Sequence, residues 1–207
     1  MPQGYVLIVE DVPDILKLLE ATLTFKGHRV VTARNGQEAL NSIQQEQPAL
    51  VITDIMMPRL DGFGLVHRIR INPETREIPV IFLTATYVAL EDKAFALNIG
   101  VTRFIEKPVN FERFLDTVDE LLTKQPSPAP EMMSEEEFYQ GYRQRLEKKM
   151  QEKNTQITRD GRLLETIPED ERATFRASLQ MAKNERDELQ RLLAEIDARI
   201  ESIARSE

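Results

Sequence analysis

Five polar side chains stand where apolar runs of this sequence stop. Glu10 and Asp11 follow Tyr5-Val6-Leu7-Ile8-Val9, Asp54 follows Ala49-Leu50-Val51-Ile52-Thr53, Thr84 follows Pro79-Val80-Ile81-Phe82-Leu83, and Glu106-Lys107-Pro108 follows the short run Arg103-Phe104-Ile105. Short apolar runs bounded by turn residues read as buried strands. In open α/β sheets, ligands bind at the carboxyl ends of such strands. Three carboxylates brought to that edge repel one another, by about 4 kcal/mol per pair at ~4 Å and an effective dielectric near 20, so the cluster calls for a cation. Oxygen donors without His or Cys suit Mg²⁺. Lys107 adds a fixed positive charge and Thr84 a hydroxyl donor. A carboxylate can accept a phosphoryl group covalently, and a metal and a lysine can neutralise the charge on that group during transfer. The chemistry that fits these residues is an acyl phosphate on Asp54.

The segments between these runs must position them. Helical spacing follows each strand: Pro13 to about Lys26, with Ile15, Leu18, Leu19, Thr22 and Leu23 expected on one face and Gly27 as the stop; Gly36 to about Gln47, opened by Asn35 with Glu38 three residues later; Gly62 to Ile71; Leu90 to Asn98; and Asn110 to about Lys124. A further strand is expected over His28–Ala33. Five near-continuous apolar strands alternating with five helices predict an α/β domain over residues 1–125, built on a parallel sheet covered on both faces.

Pro126-Ser127-Pro128-Ala129-Pro130 is an extended, semi-rigid spacer. Residues 131–207 change character and read as an all-α long helical hairpin or coiled coil. Ser134-Glu135-Glu136-Glu137 fits a capping box, with Met133 and Phe138 at hydrophobic-staple positions. A helix to about Glu165 carries Phe138, Tyr142, Leu146, Met150 and Ile157. After the break at Thr166-Ile167-Pro168-Glu169, a second helix carries Phe175, Leu179, Ala182, Arg186, Leu189, Leu193, Ile196, Ile200 and Ile203 at four- and three-residue steps. The competing expectation is a single kinked helix.

Glu10-Asp11, Asp54 with Met57-Pro58 and Asp61-Gly62 behind it, Thr84-Ala85 and Lys107-Pro108 together resemble the receiver domain of two-component response regulators. The resemblance covers residues 4 to about 124 and none of the tail. It implies a flavodoxin-like, doubly wound five-stranded parallel sheet in the order 2-1-3-4-5. It also implies phosphorylation of Asp54 by a sensor histidine kinase or phosphotransfer protein, with Thr84 and Lys107 gripping the phosphoryl oxygens. Mg²⁺ would be held by Asp11, Asp54 and the Met56 carbonyl, with Glu10 acting through water, and Lys107-Pro108 would be cis. A switch would pair Thr84 with Phe104, where many members carry Tyr. Glu10 in place of the commoner Asp is a mild departure.

Other features narrow the alternatives. The formal net charge is -8, and it is shared: residues 1–130 hold 13 Lys+Arg against 17 Asp+Glu, and residues 131–207 hold 14 against 18. Neither half is a basic body suited to nucleic acid. The sequence has no Cys, no signal-peptide pattern and no apolar run near the ~18 residues of a membrane span, so a cytoplasmic location without membrane contact is expected. His28 and His67 read as surface or packing residues. The tail contains no His, which argues against a phosphotransfer bundle. Met56 stands where a phosphatase of the haloacid dehalogenase kind has a second Asp. No output enzyme is expected; a homodimer through the C-terminal helices and a downstream protein partner are. A phosphorylation-indifferent adaptor with a coiled-coil dimerisation module is the alternative.

Overall fold

The structure, a computed structural model, describes residues 4–85, 90–123, 133–168 and 172–205. The chain divides into two compact units, Met1–Met133 and Ser134–Glu207; the proline-rich spacer at 126–130 lies outside the described residues. In the first unit the elements alternate as β1 (Val6–Val9), α1 (Pro13–Phe25), β2 (Val30–Ala33), α2 (Gly36–Gln45), β3 (Leu50–Asp54), α3 (Gly62–Ile71), β4 (Val80–Ala85), α4 (Leu90–Asn98), β5 (Arg103–Lys107) and α5 (Phe111–Thr123). All strand pairs are parallel and the order is β2-β1-β3-β4-β5, the flavodoxin-like arrangement.

The central strands β1, β3 and β4 are apolar on both faces because helices cover both. Alternate residues Val6, Ile8, Leu50, Ile52, Ile81 and Leu83 pack with Leu16, Leu19 and Leu23 of α1 and Phe114 and Val118 of α5. On the opposite face, Phe82 meets Phe63 of α3 edge-on at 5.5 Å, and Phe63 lies 5.5 Å from Phe95 of α4. The core stripe of α1 differs from the expected one. Leu16, Leu19 and Leu23 are buried, Ile15 is half-buried, and Leu18 is 52% exposed. Two apolar stripes run along this helix one residue out of phase, and only packing against β1 and β3 selects between them.

The helix ends follow local chemistry. Asn35 accepts from the Glu38 N–H while Glu38 accepts from the Arg34 N–H; Asp61 caps α3 through the Gly64 N–H; Asn110 caps α5 through the Arg113 N–H. Gly27, with φ 90°, ends α1 in the left-handed region that a side chain disfavours.

Arg70, which the apolar pattern gave no reason to single out, is buried at the end of α3. Its guanidinium donates to the carbonyls of Gly100, Arg76 and Ile78, so one side chain ties α3 to the approaches of β4 and β5. Burial brings its pKa down to about 10.

The second unit is a hairpin of α6 (Glu135–Thr166) and α7 (Arg172–Ala204) packed against each other. Ser134 and Glu137 form the expected capping box. Ion pairs Glu135–Arg199 at 2.6 Å, Arg143–Asp197 at 2.9 Å and Lys153–Glu185 at 2.5 Å set the helices antiparallel; the single kinked helix is ruled out. Phe138, Tyr142, Leu146, Ala182, Leu189 and Ile196 are buried between them.

Arg70→Leu would leave three carbonyls without their donor. Loss of charged hydrogen bonds in a buried setting costs on the order of 3 kcal/mol, so the urea midpoint of the first unit should fall accordingly; an unchanged midpoint would remove Arg70 from this role.

Candidate functional site

Register places the predicted residues along one edge of the sheet. Val9 pairs with Thr53, which puts Glu10 beside Asp54. Asp54 pairs with Leu83, one residue before Thr84. Thr84 pairs with Glu106 and Ala85 with Lys107. The five side chains, from β1, β3, β4 and β5, therefore gather at the carboxyl ends of four adjacent strands.

The Lys107 ammonium donates to Asp54 Oδ1 at 2.6 Å and to Glu10 Oε2 at 2.8 Å. The second Asp54 oxygen accepts from the Met56 N–H at 2.8 Å, so the backbone as well as the lysine aims the carboxylate. Glu10 is fully buried and also accepts from the Val12 N–H at 3.3 Å. Both of these hydrogen bonds are made directly with the protein. Burial pushes the Glu10 carboxyl above the usual carboxylate range, against the Lys107 hydrogen bond and with help from the Asp54 charge. Burial also works against the Lys107 ammonium, but its hydrogen bonds to Asp54 and Glu10 outweigh this and raise its pKa. Asp11 is half-buried at the same strand end.

Thr84 is buried, and its Oγ1 has no hydrogen-bond partner. A buried hydroxyl without a partner costs roughly 1–3 kcal/mol, so its placement here calls for an acceptor that the resting side chains do not supply. Phe104 is half-buried, its ring 6.2 Å from Phe82 in an edge-on contact. The Lys107-Pro108 bond is cis.

Asp61 and Gly62 shape the loop after β3. The Gly62 N–H donates to the Ile55 carbonyl, and a Cβ on Gly62 would stand 2.6 Å from the Asp54 carbonyl oxygen. Sequence reading did not foresee that the Met56 N–H orients Asp54, since backbone donors leave no mark in residue type. Among the described residues no group of three His, Cys, Asp or Glu side chains is arranged to hold a metal ion; the cation at this edge is Lys107. The donors are all oxygen, which suits a hard divalent cation in chemistry.

The family model of the response regulator receiver domain matches residues 6–119. The chain belongs to this family. Among curated proteins it is similar to "Probable transcriptional regulator ycf27" of Guillardia theta, 45% identical over 103 residues, which are 50% of this chain and 39% of that one. It is also similar to "Response regulator PleD" of Caulobacter vibrioides, 33% identical over 132 residues, covering 59% of this chain and 29% of that one. The match thus spans well under half the length of either relative. Among solved structures, the chemotaxis response regulator CheY4 of Vibrio cholerae is 32% identical with a TM-score of 0.54, covering 57% of this chain and 98% of that one. The receiver domain of a signal transduction histidine kinase from Syntrophus aciditrophicus is 32% identical with a TM-score of 0.56, covering 63% and 98%. The family match ends before α6. Among the described residues no helix is long and apolar enough to cross a membrane.

Two receiver substitutions test the site. Thr84→Val removes the partnerless hydroxyl at nearly equal volume; it should raise stability by about 1 kcal/mol in thermal unfolding while slowing phosphoryl labelling at least tenfold. Gly62→Ala should displace the loop from the Asp54 carbonyl, costing about 1–3 kcal/mol and slowing labelling as well. If both variants label at the wild-type rate, neither Thr84 nor the loop belongs to the site.

Proposed function

We propose that this chain is a two-component response regulator whose receiver takes a phosphoryl group on Asp54 from a sensor histidine kinase or phosphotransfer protein, and whose helical hairpin is a protein-pairing output rather than an enzyme. The observation that carries this reading is the Asp54 carboxylate, aimed by the Met56 N–H and faced at 2.6 Å by Lys107, at the same edge as the partnerless Thr84 hydroxyl.

In this reading an Asp54 oxygen attacks phosphorus. The P–O bond forms as the P–N bond of the phosphohistidine breaks, and the imidazole nitrogen leaves with the electron pair. Lys107 stays near Asp54 and pairs with a phosphoryl oxygen, holding charge that a carboxylate edge would otherwise repel. Thr84 Oγ1 donates its hydrogen to another phosphoryl oxygen and so gains the acceptor it lacks at rest. Asp11, Asp54 and the Met56 carbonyl would hold Mg²⁺, which when bound would supply positive charge for the phosphoryl oxygens. Glu10, fixed by Lys107 and the Val12 N–H, keeps the ammonium in place. Phe104 would follow Thr84 when that hydroxyl moves toward the phosphoryl group, and self-association of the hairpin would be the readout.

Labelling with acetyl phosphate and Mg²⁺ should be abolished by Asp54→Asn; labelling that survives would overturn the phosphoacceptor assignment. Solution mass by light scattering, with Mg²⁺ alone and with beryllofluoride added, should show a dimer whose dissociation constant changes at least tenfold with the phosphoryl mimic. A dimer indifferent to the mimic would make the hairpin a permanent scaffold.

A further inference from the structure

The hairpin buries only part of its apolar pattern. On α7, Ala182, Leu189 and Ile196, seven residues apart, are buried, whereas Leu179, Arg186, Leu193 and Ile200, also seven apart, are half-buried. On α6 the buried run Phe138, Tyr142 and Leu146 gives way to half-buried Lys149, Lys153 and Gln156 and buried Asp160, while the apolar residues Met150, Ile157 and Leu164 form a half-buried line of their own. These two lines border the same side of the hairpin. Arg143 precedes Met150 by seven residues and so heads the α6 line. Asp197 lies four residues after Leu193 and three before Ile200, and is a surface neighbour of both. The Arg143–Asp197 pair at 2.9 Å therefore joins the two lines along one flank. The more exposed Leu163 and Met181 do not belong to either line.

We infer that this flank is the seam of a homodimer in which two hairpins pair about a two-fold axis along their length, so that each α6 lies beside the partner's α7 and both turns point the same way. The inference rests on the hairpin pairing with a second copy, as proposed above, and adds which face meets and in which sense. Charge selects the occupant and the sense. Residues 143–162 of α6 hold seven basic and three acidic residues, a net of +4, whereas residues 185–201 of α7 hold six acidic and three basic, a net of -3. Within the chain this already sets Arg143 on Asp197 and Lys153 on Glu185. A two-fold along the hairpin repeats that opposite-sign pairing across the seam and presents identical flanks to each other, which closes the assembly at two. A two-fold across the hairpin would set α6 on α6 and α7 on α7, like charge against like. Two helices also make a small apolar core, and a second hairpin completes a four-helix bundle. Arg186, held to Asp187 at 2.6 Å, is the one charged position in the α7 line; a charge at such a position costs affinity and fixes register.

Sedimentation equilibrium on the full chain tests the seam. Wild type should dimerise; Ile157→Asp and Leu193→Asp should each weaken association at least a hundredfold with helical content by circular dichroism retained; Arg186→Leu should tighten it at least tenfold. Because the chain has no Cys, Thr166→Cys at the end of α6 takes a single spin label without further changes. The label should report an intersubunit distance of about 20–30 Å, a little over two helix diameters; a separation near the ~50 Å length of α7 would overturn the sense of pairing. Dimers that survive both acidic substitutions would overturn the flank while leaving self-association in place. A wild-type chain that stays monomeric, with or without beryllofluoride, would overturn the seam and the paired output together, and Asp54 labelling would still judge the receiver separately.

Discussion

The Lys107 ammonium reaches Asp54 at 2.6 Å and Glu10 at 2.8 Å, and these groups come from β5, β3 and β1. A parallel sheet brings strand ends of one sense to one edge, and with them every carboxylate placed there. Without a cation between them, the crowding of Glu10 and Asp54 would oppose the pairing of their strands. The lysine turns that repulsion into a cross-link between an edge strand and two central ones, and does so from a side chain that is only partly covered. The price is mobility: a lysine committed to two carboxylates is not free to sample solvent.

The remaining precision comes from backbone. The Met56 N–H fixes one oxygen of Asp54 and leaves the other to Lys107. That N–H is positioned by a loop that must turn close against the end of β3, where Gly62 has no room for a Cβ and Asp61 begins α3 by capping it. Beyond the loop, Arg70 holds the far end of the same helix to the carbonyls of Gly100, Arg76 and Ile78. Helix α3 is thus held at both ends.

Much of this could be read before any coordinates. Strand runs that are apolar throughout require cover on both faces, and the runs of β1, β3 and β4 end at residues that the site uses. The parallel order and the gathering of Glu10, Asp54, Thr84 and Lys107 follow from that pattern with the family resemblance. What stayed hidden was of two kinds. Where two apolar stripes compete, as on α1, residue type cannot tell Leu16 from Leu18, because the choice is made by partners distant in sequence. Where a contact is made by backbone or by one long cation, as with the Met56 N–H and Arg70, the sequence carries no pattern at all. In the hairpin the α7 spacing was plain, but which half of it faces α6 depended on α6, whose inward positions turn from aromatic to charged after Leu146.

The charges at the receiver edge show why Thr84 tolerates its cost. Glu10, Asp11 and Asp54 bring three carboxylates, and Lys107 supplies one positive charge against them. An aspartyl phosphate would replace one carboxylate charge with about -1.5 to -2, so the edge would become more negative in the proposed phosphorylated state. Direct hydrogen bonds from neutral donors stabilise such a group without adding charge that would bind Asp54 too tightly beforehand. A threonine hydroxyl with no resting partner suits that role. It costs about a kilocalorie or more when idle, a cost that a phosphoryl oxygen in the proposed reaction would offset. Under the proposed phosphorylation the resting penalty would become a preference for the phosphorylated state; Thr84 lies on β4 two residues from Phe82, whose ring contacts Phe104 of β5.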